Sequence, residues 1–244
     1  MATTHVIDSN PLDLSIIQDI LAHDKKLLLS ESAKERIQKC RIYLDDKMSS
    51  VVKPIYGINT GFGALYNVEI KGENLQKLQE NLVMSHACGT GDEVPDEIIK
   101  LMLLLKIQSL SYGHSGVQLA TVNRLIDFYN NDIFPVVYEQ GSLGASGDLS
   151  PLAHLALPLI GLGEVKFNNH RISGKEILDR FDWSKIKLQS KEGLALLNGT
   201  QFMSAFGIYN LLNAHKFSYL SDLIGAISLE AFDGRIEPFN ELVH

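Results

Sequence analysis

Residues 141–157 read "GSLGASGDLSPLAHLAL", a glycine-rich turn that leads into an apolar helix. Gly141 and Gly144 allow tight or left-handed backbone conformations, and Asp148 is a residue type that caps the start of a helix. A serine-hydrolase elbow requires G-x-S-x-G, whereas Ser146 is followed directly by glycine. Spacing alone therefore favours an ordinary turn that is capped by Asp148.

The tripeptide Ala145-Ser146-Gly147 also permits an intramolecular condensation. The amide nitrogen of Gly147 would attack the carbonyl carbon of Ala145, since glycine has no Cβ to block the sharp fold. One water would be lost from that carbon, and the Ser146 hydroxyl would be eliminated as a second water. The product is a five-membered ring with an exocyclic methylene group, an electrophile that none of the standard side chains provides.

Composition limits the other classes of function. The formal net charge of −7 and the absence of a basic stripe argue against a nucleic-acid partner. The apolar run at residues 101–105 is too short to span a membrane, and the N-terminus lacks the pattern of a secretory signal. Cys40 and Cys88 make neither a disulfide framework nor a metal-ligand pair, so we expect a cytoplasmic protein.

Helical signals dominate the chain. Asn10 and Pro11 predict a helix start before residues 12–23, and a capping box at Ser32 and Glu35 predicts a second start.

Leucines at residues 75–82 fall on one helical face that also carries His86, and Gly89 is a plausible stop. Pro95 opens a helix over residues 96–113 that is apolar nearly all round and is therefore predicted to be central.

Strand signals are few. They comprise residues 133–138 and a short hairpin that turns at Asn168-Asn169. The stretch from Gly199 reads as one or two long helices, and the chain stops at His244 without a cap, as a truncated chain would. The sequence therefore predicts a mainly α fold.

Four motifs in order resemble the aromatic amino acid ammonia-lyases, which comprise the histidine, phenylalanine and tyrosine ammonia-lyases and their related aminomutases. Beside residues 141–157 they are "YGINTGFG" at 56–63, "NLVMSHACGTG" at 81–91 and "EGLALLNGTQ" at 192–201. The resemblance covers essentially this whole chain but only about the N-terminal half of a family member. It implies the ammonia-lyase (fumarase/aspartase-like) fold, with residues 1–199 as an N-terminal domain and 200–244 beginning a truncated central helical bundle.

The resemblance also assigns roles in catalysis. Ala145, Ser146 and Gly147 match the tripeptide that forms the family's 4-methylideneimidazol-5-one (MIO) cofactor autocatalytically. Tyr56 resembles the catalytic tyrosine that takes the β-proton; a phenol is a weak base, so this role requires hydrogen bonds or positive charge nearby. Without the resemblance, Tyr56 would be read as a half-buried aromatic residue.

Other matched residues are assigned to binding. Gly63 belongs to the loop that approaches the substrate, and Asn198 resembles the asparagine that hydrogen-bonds MIO and substrate. Asp148 is expected to support the cofactor. Read alone, Asn198 is a common turn residue before glycine.

The pair Ser85-His86 indicates the substrate. It is typical of family members that act on histidine, although a few tyrosine lyases also carry it. The imidazole of His86 can hydrogen-bond either a substrate imidazole or a substrate phenol. The resemblance therefore implies a carbon–nitrogen lyase that converts L-histidine to trans-urocanate and ammonia. A tyrosine or phenylalanine lyase, an aminomutase and a non-catalytic fragment remain alternatives; read alone, His86 would be satisfied by the last helix carbonyls.

No metal and no nucleotide cofactor is expected, because the histidines lack ligand spacing and Gly61-Phe62-Gly63 is too short for a dinucleotide fingerprint. The resemblance implies a homotetramer with an amino acid substrate, and it places a second tyrosine and the carboxylate-binding arginine beyond His244. Where the family usually has an arginine in the helix before S-G-V, this chain has Lys106 and Gln108. The expected partners include no nucleic acid and no membrane.

Overall fold

The computed structural model describes residues 3–50, 54–61, 68, 70, 72–142 and 147–243. Helices dominate these residues, which confirms the prediction of a mainly α fold. The helices are α1 (Leu14–Ala22), α2 (Glu31–Ser50), α3 (Gly72–His86), α4 (Asp96–Ser111), α5 (Leu119–Asn130), α6 (Ser150–Ala156), α7 (Gly174–Arg180), α8 (Glu192–Leu197) and α9 (Gln201–Ala231). The strands are β1 (Thr4–Ile7), β2 (Lys26–Leu29), β3 (Thr90–Glu93), β4 (Phe134–Pro135), β5 (Tyr138–Gln140), β6 (Glu164–Phe167) and β7 (His170–Ser173).

The chain divides into two compact units, residues 1–205 and residues 206–244. The first unit contains the hydrophobic core and every strand given above. The second contains the remainder of α9 and two 3₁₀ turns, Glu237–Phe239 and Glu241–Val243. The division at residue 199, which rests on the resemblance, stays a prediction.

Helix α4 lies at the centre of the first unit, as its sequence predicts. Side chains all round the helix are buried, among them Ile98, Met102 and Leu104. The helix packs against α2, α5 and β4. Pro95 immediately precedes the first turn, where its missing N–H leaves no donor unsatisfied.

The predicted strand at residues 133–138 divides in two. Val136 N donates to Glu164 O, which belongs to the β4–β6–β7 sheet, at 2.9 Å. The next residue turns to another sheet, because Val137 O accepts from Val94 N, beside β3, at 2.9 Å. The chain thus leaves β6 and joins β3 between two adjacent residues. Separately, β1 and β2 form a parallel pair.

The hairpin between β6 and β7 follows the prediction. Asn168 and Asn169 have φ angles of 50° and 62°, the left-handed values that a two-residue type I′ turn requires. The paired strands run antiparallel from Glu164 opposite Ser173 to Phe167 opposite His170.

Two predicted helix starts are wrong by two or three residues. Asp13, and not Asn10, caps α1, since its Oδ1 accepts from Ile16 N at 2.8 Å. Asn10 instead bonds to the Asp8 carboxylate in a local turn. Ser30 caps α2 by accepting from Ala33 N at 3.1 Å, because that helix begins directly after β2 and ahead of Ser32.

Many large apolar side chains of the second unit are exposed. In α9 beyond residue 205 they are Tyr209, Leu211, Phe217, Tyr219, Leu223, Ile224 and Ile227. Beyond α9 they are Phe232, Ile236, Phe239, Leu242 and Val243. Within the part of the chain that the structure describes, no helix combines the length and apolar character needed to cross a bilayer.

Candidate active site

Three helices bring the predicted site elements together. Helix α3 carries Ser85 and His86 near its end, α6 follows the Ala-Ser-Gly tripeptide, and α8 ends one residue before Asn198. Each of the three packs against the other two. Residues that are far apart in sequence thus belong to one packed group of helices.

Close approach between these helices depends on glycine. A Cβ on Gly193 of α8 would lie 2.8 Å from the backbone oxygen of Gln79 in α3. The absence of that Cβ lets Gly193 N donate to Gln79 Oε1 at 2.9 Å.

A second glycine links the segment after α3 to α6. Gly89 N donates to His154 Nε2 at 3.0 Å, and burial lowers the pKa of His154, which keeps this ring neutral and able to accept. Sequence reasoning gave His154 no role.

Asp148 connects both sides of the tripeptide. Its Oδ1 accepts from Ser142 N at 2.8 Å, from Ser142 Oγ at 3.0 Å and from Ser150 N at 3.0 Å. A Cβ on Gly141 would overlap the same carboxylate, so a larger residue there would displace the Asp148 side chain. One carboxylate therefore fixes the chain before and after residues 143–146.

Gly147 has a backbone conformation that favours glycine. Its φ angle is +91°, in the region that residues with a Cβ rarely adopt. A Cβ there would lie at an ordinary 3.7 Å from Gly199 O, so the backbone angle and not crowding demands glycine. The same measurement places Gly147 beside the Asn198-Gly199 segment. Ala145, Ser146 and Gly63 lie outside the described residues, and their roles stay predictions.

Asn198 ends α8 with an extended backbone. Its main-chain nitrogen and its side-chain Nδ2 both donate to Leu194 O, at 3.0 and 3.2 Å. Its carbonyl oxygen accepts from Lys106 Nζ at 2.9 Å. The residue assigned to MIO and substrate is thus held through its backbone by α4.

Lys106 is the main residue that sequence reasoning left without a role. Its side chain is 1% exposed, and Nζ also donates to Ala195 O at 3.0 Å. Burial lowers the pKa of the ammonium to about 7. A lysine in a helix that is otherwise apolar all round was the available signal, because such a side chain must find buried acceptors.

The described contacts leave one nitrogen of His86 available to a ligand. Its Nδ1 lies 2.9 Å from Leu82 O, and because a carbonyl only accepts, Nδ1 carries the proton. In the neutral ring Nε2 is then an acceptor. Ser85 Oγ donates to the same carbonyl at 3.1 Å and lies 3.1 Å from Nδ1, which fixes the ring.

Tyr56 lies on a tight turn with its side chain 58% exposed. Gly57 has a φ of 75°, and Asn59 Oδ1 accepts from Ile55 N at 2.6 Å to close the turn. Thr60, which is buried, donates to Gly61 O at 2.9 Å. These contacts order the turn, while the position of Tyr56 over the cofactor stays a prediction.

The buried Glu192 forms hydrogen bonds that the motif at residues 192–201 did not predict. Its carboxylate accepts from Gln118 N at 2.8 Å, from Thr121 Oγ1 at 2.6 Å and from Gln189 N at 2.7 Å. It thereby joins the start of α8 to the start of α5 and leaves Asn198 at the opposite end of α8.

Comparisons with known proteins agree with this arrangement. A family model described as aromatic amino acid lyase matches residues 12–244. The histidine ammonia-lyase of Caldanaerobacter subterraneus subsp. tengcongensis is 44% identical over 238 residues, a match that covers 98% of this chain and 47% of that protein.

Solved structures give the same fold. The crystal structure of histidine ammonia-lyase from Trypanosoma cruzi matches with a TM-score of 0.87 and 33% identity, over 98% of this chain and 47% of that one. Ergothionase from Treponema denticola, in complex with desmethyl-ergothioneine sulfonic acid, matches with a TM-score of 0.89 and 28% identity, over 98% and 48%.

The chain spans about half the length of the curated relatives that it matches. The predicted ammonia-lyase fold is confirmed by the structural matches. Since the family model covers nearly the whole chain, the chain belongs to the aromatic amino acid lyase family.

Proposed function

We propose that this chain is the cofactor-bearing part of a cytoplasmic, homotetrameric ammonia-lyase that converts L-histidine to trans-urocanate and ammonia. The observation that carries the proposal is the backbone around Gly147: a positive φ, beside Gly199, in a segment tied on both sides to Asp148. The 44% sequence identity to a histidine ammonia-lyase supports L-histidine as the substrate.

The residues present fit an MIO group formed from the chain itself. A bond forms between Gly147 N and the carbonyl carbon of Ala145. The Ala145 oxygen leaves as water with the amide protons of Gly147 and Ser146, and the Ser146 hydroxyl leaves as a second water with the Ser146 α-proton. Asp148 favours this closure because it holds Ser142 and Ser150 in fixed positions.

Once formed, the group would supply an electrophile that engages the substrate amine, which is otherwise a poor leaving group. Tyr56 would take the β-proton, and its turn is ordered by the Asn59 and Thr60 hydrogen bonds. Asn198 and Gly63 would contact substrate and cofactor.

His86 would recognise the substrate ring through Nε2. An acceptor at that position binds the N–H of an imidazole, and Ser85 and Leu82 O hold the ring in the required tautomer. A phenol O–H would satisfy the same acceptor, so tyrosine is the competitor against which histidine must be measured.

The ring is tested by intact-protein mass spectrometry of this chain. We expect a mass lower than the sequence mass by two waters, and no loss in Ser146→Ala. Ser221→Ala, at an exposed position of α9, is the control, because it removes a serine hydroxyl away from the tripeptide segment. If the unaltered chain has the full mass calculated from its sequence, with no water lost, the proposed cofactor is wrong.

The substrate is tested in an extended chain, in which this sequence is followed by the C-terminal half of the Caldanaerobacter relative. We expect kcat/KM for L-histidine to exceed that for L-tyrosine and L-phenylalanine. His86→Leu should lower histidine turnover by roughly 10- to 100-fold, since the imidazole N–H would lose its acceptor. A preference for tyrosine would replace the histidine assignment.

A further inference from the structure

Lys106 is a buried lysine without a carboxylate partner. Within the described part of the chain no acidic side chain forms an ion pair with it, whereas Lys100, six residues earlier on α4, pairs with Asp24 and Asp132. The partners of Lys106 are two main-chain carbonyls, Ala195 O and Asn198 O. An amino group that is buried, whether charged or neutral, needs those acceptors for its N–H donors.

The two acceptors belong to the end of α8. The last carbonyls of a helix have no partner within the helix, and they carry its partial negative charge. Leu194 O is satisfied by Asn198, and Ala195 O is satisfied by Lys106. The ammonium therefore completes the end of this short helix.

The hydrogen bond from Lys106 to Asn198 O extends the influence of the lysine beyond α8. Because Lys106 fixes Asn198 O, it fixes the peptide plane that joins Asn198 to Gly199. Gly199 O lies 3.7 Å from the position that a Cβ on Gly147 would occupy. Lys106 thus binds the segment Asn198-Gly199, which lies beside Gly147.

We propose that Lys106 is a positioning residue of the cofactor site, which holds the Asn198-Gly199 segment against Gly147. Under the proposed cyclisation Gly147 N is the atom that closes the ring, and Asn198 is the residue expected to contact the cofactor. This inference rests on the proposed ring. It assigns Lys106 no contact with substrate.

Three variants of this chain test the inference. Lys106→Met removes the donors at similar length, Lys106→Arg keeps a charged donor, and Lys100→Met is the control for loss of a lysine from the same helix. Two quantities are measured: the fraction of molecules that have lost two waters, by intact mass, and the rate of amide hydrogen exchange. Exchange is compared between residues 195–201 and the hairpin at residues 164–173.

For Lys106→Met we expect a lower dehydrated fraction and roughly tenfold faster exchange at residues 195–201, the ratio that corresponds to one lost hydrogen bond. Exchange in the hairpin should not change. Lys106→Arg should recover both quantities, and Lys100→Met should leave both as in the unaltered chain.

Complete dehydration together with unchanged exchange at residues 195–201, in any folded variant without the ammonium, would overturn the inference. If Lys106→Met does not fold, Lys106→Gln is measured in the same way. If the unaltered chain loses no water, the proposed ring is wrong, and the exchange rates still decide whether Lys106 holds Asn198-Gly199.

Discussion

At the scale of the residue, Asp148 binds the chain on both sides of residues 143–146. Asp148→Ala removes the acceptor for Ser142 and Ser150, so we expect a smaller dehydrated fraction by intact mass. Lost charged hydrogen bonds should also cost roughly 1 to 3 kcal/mol in the free energy of unfolding. Asp222→Ala, at an exposed position of α9, is the control. Full dehydration of Asp148→Ala would contradict this role.

Lys106 makes a prediction about pH. Burial lowers its pKa from 10.5 to about 7, so between these values the unfolded chain binds the proton that the folded chain releases. The contribution of this group to the free energy of unfolding therefore rises with pH across that window and levels off above it. The neutral amine keeps two N–H donors for its two carbonyls.

We expect the free energy of unfolding of the unaltered chain, minus that of Lys106→Met, to increase from about pH 7 to about pH 10. Urea unfolding at several pH values measures it, and other titrating groups cancel in the difference. A constant difference would show that the folded chain keeps the Lys106 proton throughout.

At the scale of the element, the contact between α3 and α8 has no room for a methyl group. In Gly193→Ala the new Cβ would lie 2.8 Å from Gln79 O, a backbone atom that cannot move away alone. We expect a loss of roughly 1 to 3 kcal/mol in the free energy of unfolding, measured in urea.

The control for that substitution is Gly207→Ala in α9, where the structure describes no atom within 4 Å of the new Cβ. Alanine should there raise helix stability by up to about 1 kcal/mol. Equal effects of the two substitutions would show that α3 and α8 are not tightly packed at Gly193.

Local patterns predicted most helices and the β6–β7 hairpin, but they predicted no partner for the other strands. The apolar periodicity and Pro95 were enough for α3 and α4, because a helix is defined by neighbours within a few residues. The run at 133–138 changes partner between adjacent residues, and β1 pairs with β2 in parallel across an intervening helix. Nothing within either strand specifies such a partner.

The candidate site follows the same division. Residue types predicted a cyclising tripeptide, which stays a prediction, and a helix cap at Asp148. Asp148 does accept from Ser150 N, but Leu149 is the N-cap residue of α6, so the predicted cap is one residue early. The partners of Lys106 are 89 and 92 positions away, and Glu192 accepts from Thr121 at a separation of 71. Contacts of this range arise only from the packed helices.

At the scale of the whole molecule, the exposed apolar side chains of residues 206–243 predict association of the isolated chain. Phe217, Ile224 and Phe232 are 63, 61 and 89% exposed, and surfaces of this kind are normally covered. We expect light scattering to give a mass above that of one chain. In the double variant Phe217→Lys/Ile224→Lys the measured mass should be lower. Arg235→Lys is the control. A monomer at all concentrations would contradict the prediction.

The contacts between Gly147, Asn198-Gly199 and Lys106 also fix an order of events during synthesis. The acceptor at Asn198 lies 92 positions after Lys106, so the ribosome must release residues well past the tripeptide before this neighbourhood exists. Under the proposed cyclisation, dehydration then follows folding and is not reversed. Each molecule would carry in its mass a permanent record of whether it had once reached the native state, even after it was later denatured.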